Sequence, residues 1–435
     1  MSITLVGIIG LIALFALLAI RMPVALAMLV VGVVGIWTLN GWQAAMATLA
    51  DVSFVIASNY ELMVIPLFIL MGNFAAISGM SADLYRAAYA WFGHWRGGLA
   101  SATIASCAGF AALSGSSVAS AVTMGRVALP EMKRYGYDPR LATGCIAAGG
   151  TLGILIPPST GFIIYAILTE ESIGRLFLAG VLPGLLLTVL FMIAIYIQTR
   201  INPGLGPAGA RTDMAGRVRS LRDAGAMIFI VLVTIGGIYG GVFTPTEAAG
   251  IGAFLALALS VVRRRITGAS LADVLLQTIR TSALAFLILI GAHIFNPFLA
   301  LTQIPEDLAK LLVDLELPRW GVMLILMAAY IVLGTFLEGF AMLVLTLPIV
   351  HPLILALGYD PIWFGVMMVI VLEMGLISPP VGVNVFVVKG VAEDVPLRQI
   401  FAGIVPFWLA MGVCLLILMV FPQIALFLPN TMIGN

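Results

Sequence analysis

The chain has 435 residues, of which 62% are apolar and only 9% charged, with a mean hydropathy of +1.15. Soluble proteins carry about 25% charged residues, and so sparse a set cannot clothe a water-facing surface. A soluble globular protein, a disordered chain and a nucleic-acid binder are therefore excluded. Twenty-one basic against 20 acidic residues leave no global field to recruit an anionic partner. Cys107, Cys145 and Cys414 lie far apart in apolar runs and make neither a disulfide framework nor a metal pattern. What remains is an all-α polytopic membrane protein.

A helical span takes about 20 apolar residues. From the N-terminus, crossings are predicted at 3–20, 23–40 and 61–79, with a weakly apolar external stretch, 41–60, suited to the interface plane. The first run has no basic residue before it and no small-residue cleavage site, so it reads as an uncleaved span rather than a signal peptide. The stretch 100–130 is broken by Leu113-Ser114-Gly115-Ser116-Ser117-Val118 and reads as a re-entrant hairpin. Crossings follow at 141–168 and 176–199, then a Gly-, Pro- and Arg-containing cytoplasmic linker, 200–224. The second half offers crossings at 225–241, 247–262 and 281–300, with a cytoplasmic interface stretch at 267–280. A second hairpin, 320–352, is broken at Thr335-Phe336-Leu337-Glu338-Gly339-Phe340. Crossings at 361–388 and 399–421 and an external tail, 422–435, complete ten crossings and two hairpins.

Basic loop residues set orientation. With the N-terminus outside, 17 of the 21 Lys and Arg residues fall on the cytoplasmic side, while Arg175, Lys310 and Arg319 lie outside and Arg126 lies in the first hairpin. That bias makes the flanks of the first hairpin cytoplasmic and those of the second external, so the hairpins enter from opposite faces.

The chain repeats itself. Gly136-Tyr137-Asp138-Pro139 recurs as Gly358-Tyr359-Asp360-Pro361, and Pro157-Pro158 as Pro379-Pro380, both at a shift of 222. Pro130 maps to Pro352 at the same shift, and Ala179-Gly180-Val181-Leu182-Pro183 to Ala402-Gly403-Ile404-Val405-Pro406 at 223. The copies span 1–199 and 225–421, each with five crossings and one hairpin. Five is odd, so the second copy is inverted. Inverted repeats with paired broken helices mark secondary transporters, whose sites lie near the midplane between the repeats.

A Pro-Pro pair inside an apolar run breaks the helix. Unwound backbone is tolerated in hydrocarbon only when buried in protein or lining a cavity, where its carbonyls can bind a cation and a half-helix N-terminus can face an anion. The two breaks are Gly149 to Thr160 and Leu372 to Asn384. The first tip is rich in hydroxyls, each an oxygen ligand suited to sodium. In the second, Glu338 brings a carboxylate, functional by default at this depth unless it pairs with a basic residue or stays protonated. Thr244-Pro245-Thr246-Glu247 is a capping box. Glu373 either positions carbonyls at the second break or couples to a proton. His293, Cys107 and Cys145 read as packed residues, and Arg126 either attracts a substrate carboxylate or snorkels to the cytoplasmic interface. No nucleotide-binding loop, zinc motif or nucleophile elbow is present, so direct use of ATP is not expected. His94, His293 and His351 are scattered, which argues against a membrane enzyme.

These motifs match a family over nearly the whole chain. Ser114 to Ala119, Pro130-Glu131-Met132, Gly136-Tyr137-Asp138, Gly150 to Pro158, Thr244 to Ala249, Leu345 to Ile349 and above all Gly375 to Asn384 resemble the large membrane (M) subunit of tripartite ATP-independent periplasmic (TRAP) transporters, within the ion-transporter superfamily. The resemblance implies a sodium-driven elevator importing an organic acid across the bacterial inner membrane, with two or more sodium ions. Sodium sites are implied at Ser114, Gly115, Ser116 and Ser117 with Gly150, Thr151 and Gly153, and at Thr335 and Gly339 with Gly375, Ser378 and Pro379, Glu338 lying beside the second. Substrate is implied near Ser116, Ser117, Pro157, Glu338, Pro380 and Asn384. A separate four-span membrane subunit and a soluble periplasmic binding protein are implied partners. A self-sufficient carboxylate or ion carrier of the same superfamily is the alternative. The second tip departs from the family in Leu337-Glu338-Gly339, where Asp and a small residue are common, and Ser378 replaces the commoner Thr.

Overall fold

The computed structural model describes residues 3–307, 318–335, 337 and 339–432, and all regular structure in them is helical. Ile3–Ala19 (α1), Val24–Asn40 (α2) and Trp42–Ser58 (α3) are followed by Val64–Ile77 (α4), entered through one 3-10 turn, Tyr60–Met63. Met80–Phe92 (α5) leads to the first hairpin, Gly98–Ser114 (α6) and Ser117–Arg134 (α7). Pro139–Leu155 (α8) and Thr160–Thr169 (α9) flank the first break, and Ile173–Ile201 (α10) closes the first half. Met214–Asp223 (α11), Gly225–Tyr239 (α12), Pro245–Val262 (α13) and Gly268–Leu301 (α14) follow. Arg319–Gly334 (α15) and Gly339–Ala356 (α16) form the second hairpin, and Pro361–Leu376 (α17) and Val383–Val391 (α18) flank the second break. Leu397–Val420 (α19) and Gln423–Asn430 (α20) end the chain.

The repeated Gly-Tyr-Asp-Pro motif is a helix start made twice. Gly136 and Gly358 turn the chain at φ +69° and +74°, a region glycine enters without a Cβ penalty. Asp138 then accepts from the Arg140 N–H at 2.8 Å, and Asp360 from those of Ile362 and Trp363 at 2.8 and 3.1 Å. Pro139 and Pro361 occupy the first helical position, where the missing N–H costs nothing. Thr244 and Glu247 form the expected capping box at the start of α13.

Several elements differ from the apolar pattern. Among the described residues, seven helices are long and apolar enough to cross a membrane, or eight if α11 and α12, bent by 55°, form one span. Six of the ten predicted crossings are among the seven; the seventh helix, α16 (Gly339–Ala356), falls in the stretch read as a re-entrant hairpin, while 3–20, 23–40, 225–241 and 361–388 fall short in length. Helices α1 and α2 have 17 residues each, and the run 361–388 divides into helices of 16 and 9 residues. The interface stretch 267–280 is not separate: α14 continues through it as one 34-residue helix with no Gly or Pro between Ala269 and Ile290 to interrupt it. The linker is not a free loop. Its backbone hydrogen-bonds to the first half, Gly97 N–H to Gly206 O and Gly209 N–H to Gly93 O, both at 2.8 Å. Tyr137 donates to Pro207 O at 2.9 Å, and burial pushes its phenol up to about 12. Within the tail, α20 buries Ala425, Leu426 and Pro429, packed on α10 and α17. The amphipathic α5 lies in a stretch assigned no element from the sequence.

The helices pack in two groups. One comprises α1–α4 with α12–α14, tied by Ser260 Oγ to Phe74 O (3.2 Å) and Asn73 Nδ2 to Thr278 Oγ1 (2.9 Å). The other gathers both hairpins and both broken helices with α10, α19 and α20. Within it α8 and α19 touch backbone to backbone: a Cβ on Gly403 would lie 2.0 Å from Arg140 O, and one on Gly144 2.3 Å from Gly403 O. Overpacking at such a crossing costs about 1–3 kcal/mol. Gly403→Ala should lower the melting temperature in detergent accordingly, whereas Gly412→Ala on the same helix, with nothing within 4 Å of its Cβ, should not.

Candidate functional site

The first hairpin tip is seated on the first break. Gly115 ends α6 at φ +59°, and Ser116 caps α7, accepting from the Ala119 N–H at 3.3 Å. Gly115 O receives the Thr160 hydroxyl at 2.9 Å, and a Cβ on Gly115 would stand 2.8 Å from Pro158 O. The glycines of α8 admit this approach: a Cβ on Gly153 would meet Ser116 O at 2.5 Å, and one on Gly150 would meet Ser117 O at 3.0 Å. Ser114 and Ser120 share a hydrogen bond of 2.8 Å between their hydroxyls. The Thr151 hydroxyl donates to Ala148 O in its own helix. Thus Ser114 to Ser117, Gly150, Thr151 and Gly153 are brought together, and Pro157 is buried beside them.

At the second break the arrangement is looser. Gly375 meets Gly334 with Cβ-to-Cα spacing of 2.6 Å, so α15 and α17 cross closely one residue from Thr335. Gly339 lies against Leu372. The Ser378 hydroxyl donates to Met374 O at 2.6 Å and accepts from the Trp408 indole N–H at 3.0 Å. Pro379 and Pro380 are exposed, unlike Pro157 and Pro158. Glu338 lies outside the described residues. Both Pro-Pro bonds are cis.

Two fully buried polar side chains stand close to these segments. Glu373, 1% exposed, lies beside the Ser117 hydroxyl, and neither of its oxygens makes a hydrogen bond of ordinary geometry with the described residues. The Asn384 amide, 0% exposed, has no partner among them for either polar atom. Helix α18, which carries Asn384, packs on α7 and α8, and Lys133 at the end of α7 pairs with Asp394 just beyond α18 at 2.6 Å. Among the described residues no group of three or more His, Cys, Asp or Glu is placed to hold a metal ion. Arg126 is exposed on α7, and His293 Nδ1 donates to Leu289 O at 2.9 Å within its own helix.

Trp408 was not foreseen. The repeat places Leu185 opposite it and Ile156 opposite Ser378, and in the first half Ile156 lies on Gly184 through apolar contact alone. No local signal in the chain marks an indole as the partner of a residue 30 positions away.

The architecture is that of a membrane transporter fold. The solved structure of the YdaH transporter of Alcanivorax borkumensis, 15% identical, superposes with a TM-score of 0.63 over 89% of this chain and 90% of that chain. Residues 11–424 match the model of the tripartite ATP-independent periplasmic transporter, DctM component. The C4-dicarboxylate TRAP transporter large permease protein DctM of Pseudomonas aeruginosa is 38% identical over 88% of this chain and 89% of its own length. The sialic acid TRAP transporter large permease protein SiaM of Vibrio cholerae is 32% identical over 86% and 88%. The isethionate TRAP transporter permease protein DctMQ of Oleidesulfovibrio alaskensis is 33% identical over 87% of this chain but 59% of its own length. The chain belongs to the tripartite ATP-independent periplasmic transporter family as its DctM component, and it is a multi-pass transporter subunit, not an enzyme.

A hydrogen bond of this kind contributes about 0.5–1.5 kcal/mol net. Trp408→Phe should lower stability by about that amount, and Ser378→Ala should add little on top of it. A double-mutant cycle on melting in detergent reads the coupling directly.

Proposed function

We propose that this chain imports a small organic acid by sodium symport through an elevator movement. The observation that supports it best is the hydroxyl-rich tip Ser114 to Ser117 seated on unwound backbone at Pro157-Pro158. Sodium favours several neutral oxygens at once, and this junction supplies serine hydroxyls and carbonyls with no cluster of charged ligands. One ion is held by Ser114 to Ser117 with Gly150, Thr151 and Gly153, a second by Thr335, Gly339, Gly375, Ser378 and Pro379. Substrate lies between the tips near Ser116, Ser117, Pro157, Glu338, Pro380 and Asn384.

The two inverted repeats, 1–199 and 225–421, supply one hairpin and one broken helix each. The group holding both hairpins moves as a unit against the group built from α1–α4 and α12–α14. A small four-span subunit completes that scaffold, and a periplasmic binding protein delivers substrate. The DctMQ relative, longer than this chain, leaves room for such a second component in one polypeptide. Relatives named for C4-dicarboxylates, sialic acid and isethionate favour an organic acid as the class. The subunit sits in the inner membrane with its N-terminus external, as the basic-residue bias indicates.

Reconstitution of the chain with its small subunit and binding protein tests this reading. Uptake of a dicarboxylate or sugar acid should require an inward sodium gradient and the binding protein. Uptake indifferent to sodium would sink it, and sodium-driven uptake without the binding protein would favour the self-sufficient carrier. Ser116 needs a selective variant, because Ser116→Ala also removes a helix cap worth about 1 kcal/mol. Ser116→Gly deletes the hydroxyl while glycine remains a tolerated cap. It should raise the sodium concentration for half-maximal uptake several-fold with the melting temperature nearly unchanged.

A further inference from the structure

We propose that a basic cavity where α4, α5 and α13 meet binds the phosphate headgroup of an anionic membrane lipid. Helices α4 and α13 run side by side and end together, at Ile77 and Val262. The chain turns there through Ser78 and Gly79 on one side and Arg263 to Arg265 on the other, with Arg264 at φ +52°. Between the two ends lies a cavity of about 400 Å³ lined by Ser78, Gly79, Asp83, Arg86, Arg263 and Arg265.

Its charge is arranged rather than merely present. The Asp83 side chain, only 13% exposed, sits between Arg86 and Arg263 and pairs with both. Arg263 also donates to Ser78 O at 3.5 Å. One carboxylate thus fixes two guanidinium groups, and Arg265 adds a third that makes no ion pair among the described residues. The lining therefore keeps a positive excess. Guanidinium groups already held in place lose little freedom on taking a phosphate, whose geometry suits their paired N–H groups. The N-terminus of α5 opens on the same cavity. Gly79 lies at φ +80° with nothing within 4 Å of where its Cβ would be, and the Ser78 hydroxyl beside it takes the Met80 N–H at 3.2 Å.

A lipid is favoured over a soluble anion by what borders the arginines. In the turns of α13 just before them, Phe254, Val261 and Val262 are 67%, 56% and 78% exposed. Acyl chains can lie along that face while the headgroup reaches the arginines. The basic-residue bias puts these helix ends at the cytoplasmic surface, where basic pockets between membrane helices take anionic headgroups.

The full-length chain, delipidated in an uncharged detergent, is titrated with phosphatidylglycerol, phosphatidylcholine of the same chains, or inorganic phosphate, and its thermal unfolding is followed. Only phosphatidylglycerol should raise the melting temperature. Arg265→Gln, which leaves both Asp83 pairs intact, should weaken phosphatidylglycerol by about tenfold, the loss of one charge-assisted contact. Arg265→Lys should keep most of the affinity. Equal stabilisation by phosphatidylcholine, full reproduction of the shift by inorganic phosphate, or unchanged phosphatidylglycerol affinity in Arg265→Gln would each overturn the proposal. Native mass spectrometry of the same variants reads the bound lipid independently of stability.

Discussion

The geometry of the first break follows from one constraint: backbone that a proline pair has unwound inside an apolar protein must be shielded from hydrocarbon. At Pro157-Pro158 the shield is the tip of the first hairpin. That tip can reach the break only because Gly150 and Gly153 present no side chains to it and Gly115 turns beside Pro158. Serines at the tip then fill the gap with small polar groups rather than methyls. The break, the glycines and the serines are one solution to one packing problem, and the same solution leaves oxygens crowded at a single point.

The two breaks meet that constraint unequally. The first is buried under its hairpin, whereas Pro379 and Pro380 are exposed and the second hairpin touches α17 higher up, at Gly334 and Gly375. In compensation, Trp408 from α19 holds the Ser378 hydroxyl, which is also anchored to Met374. The matching place in the first half is filled by Ile156 over Gly184. The halves share a backbone plan and differ in the chemistry that steadies it. Glu373 and Asn384 extend the asymmetry, since both belong to the second half and both are fully buried.

What was legible in the chain was whatever rests on local backbone chemistry. Gly-Tyr-Asp-Pro, Pro-Pro, the serine tip and the capping box each act within a few residues, and each stands where its pattern put it. Helix length was less legible. Residues 267–280 and 281–300 differ in polarity, yet nothing between them interrupts hydrogen bonding, so α14 runs through both. Amphipathic α5 buries one face only, and α11 buries none of its residues, so neither reads as an apolar run. Contacts between distant segments, such as Trp408 with Ser378 or the linker with Gly93 and Gly97, leave no periodic trace in one sequence.

The docking of α20 against α10 has a consequence for biogenesis. Helix α10 is complete by Ile201, but the short helix that covers it, Gln423–Asn430, is made after more than 200 further residues. While the ribosome adds them, the face of α10 that α20 covers lacks that partner. Closure of the two halves is thus a late, long-range event, of the kind that slows folding and leaves intermediates open to misassembly.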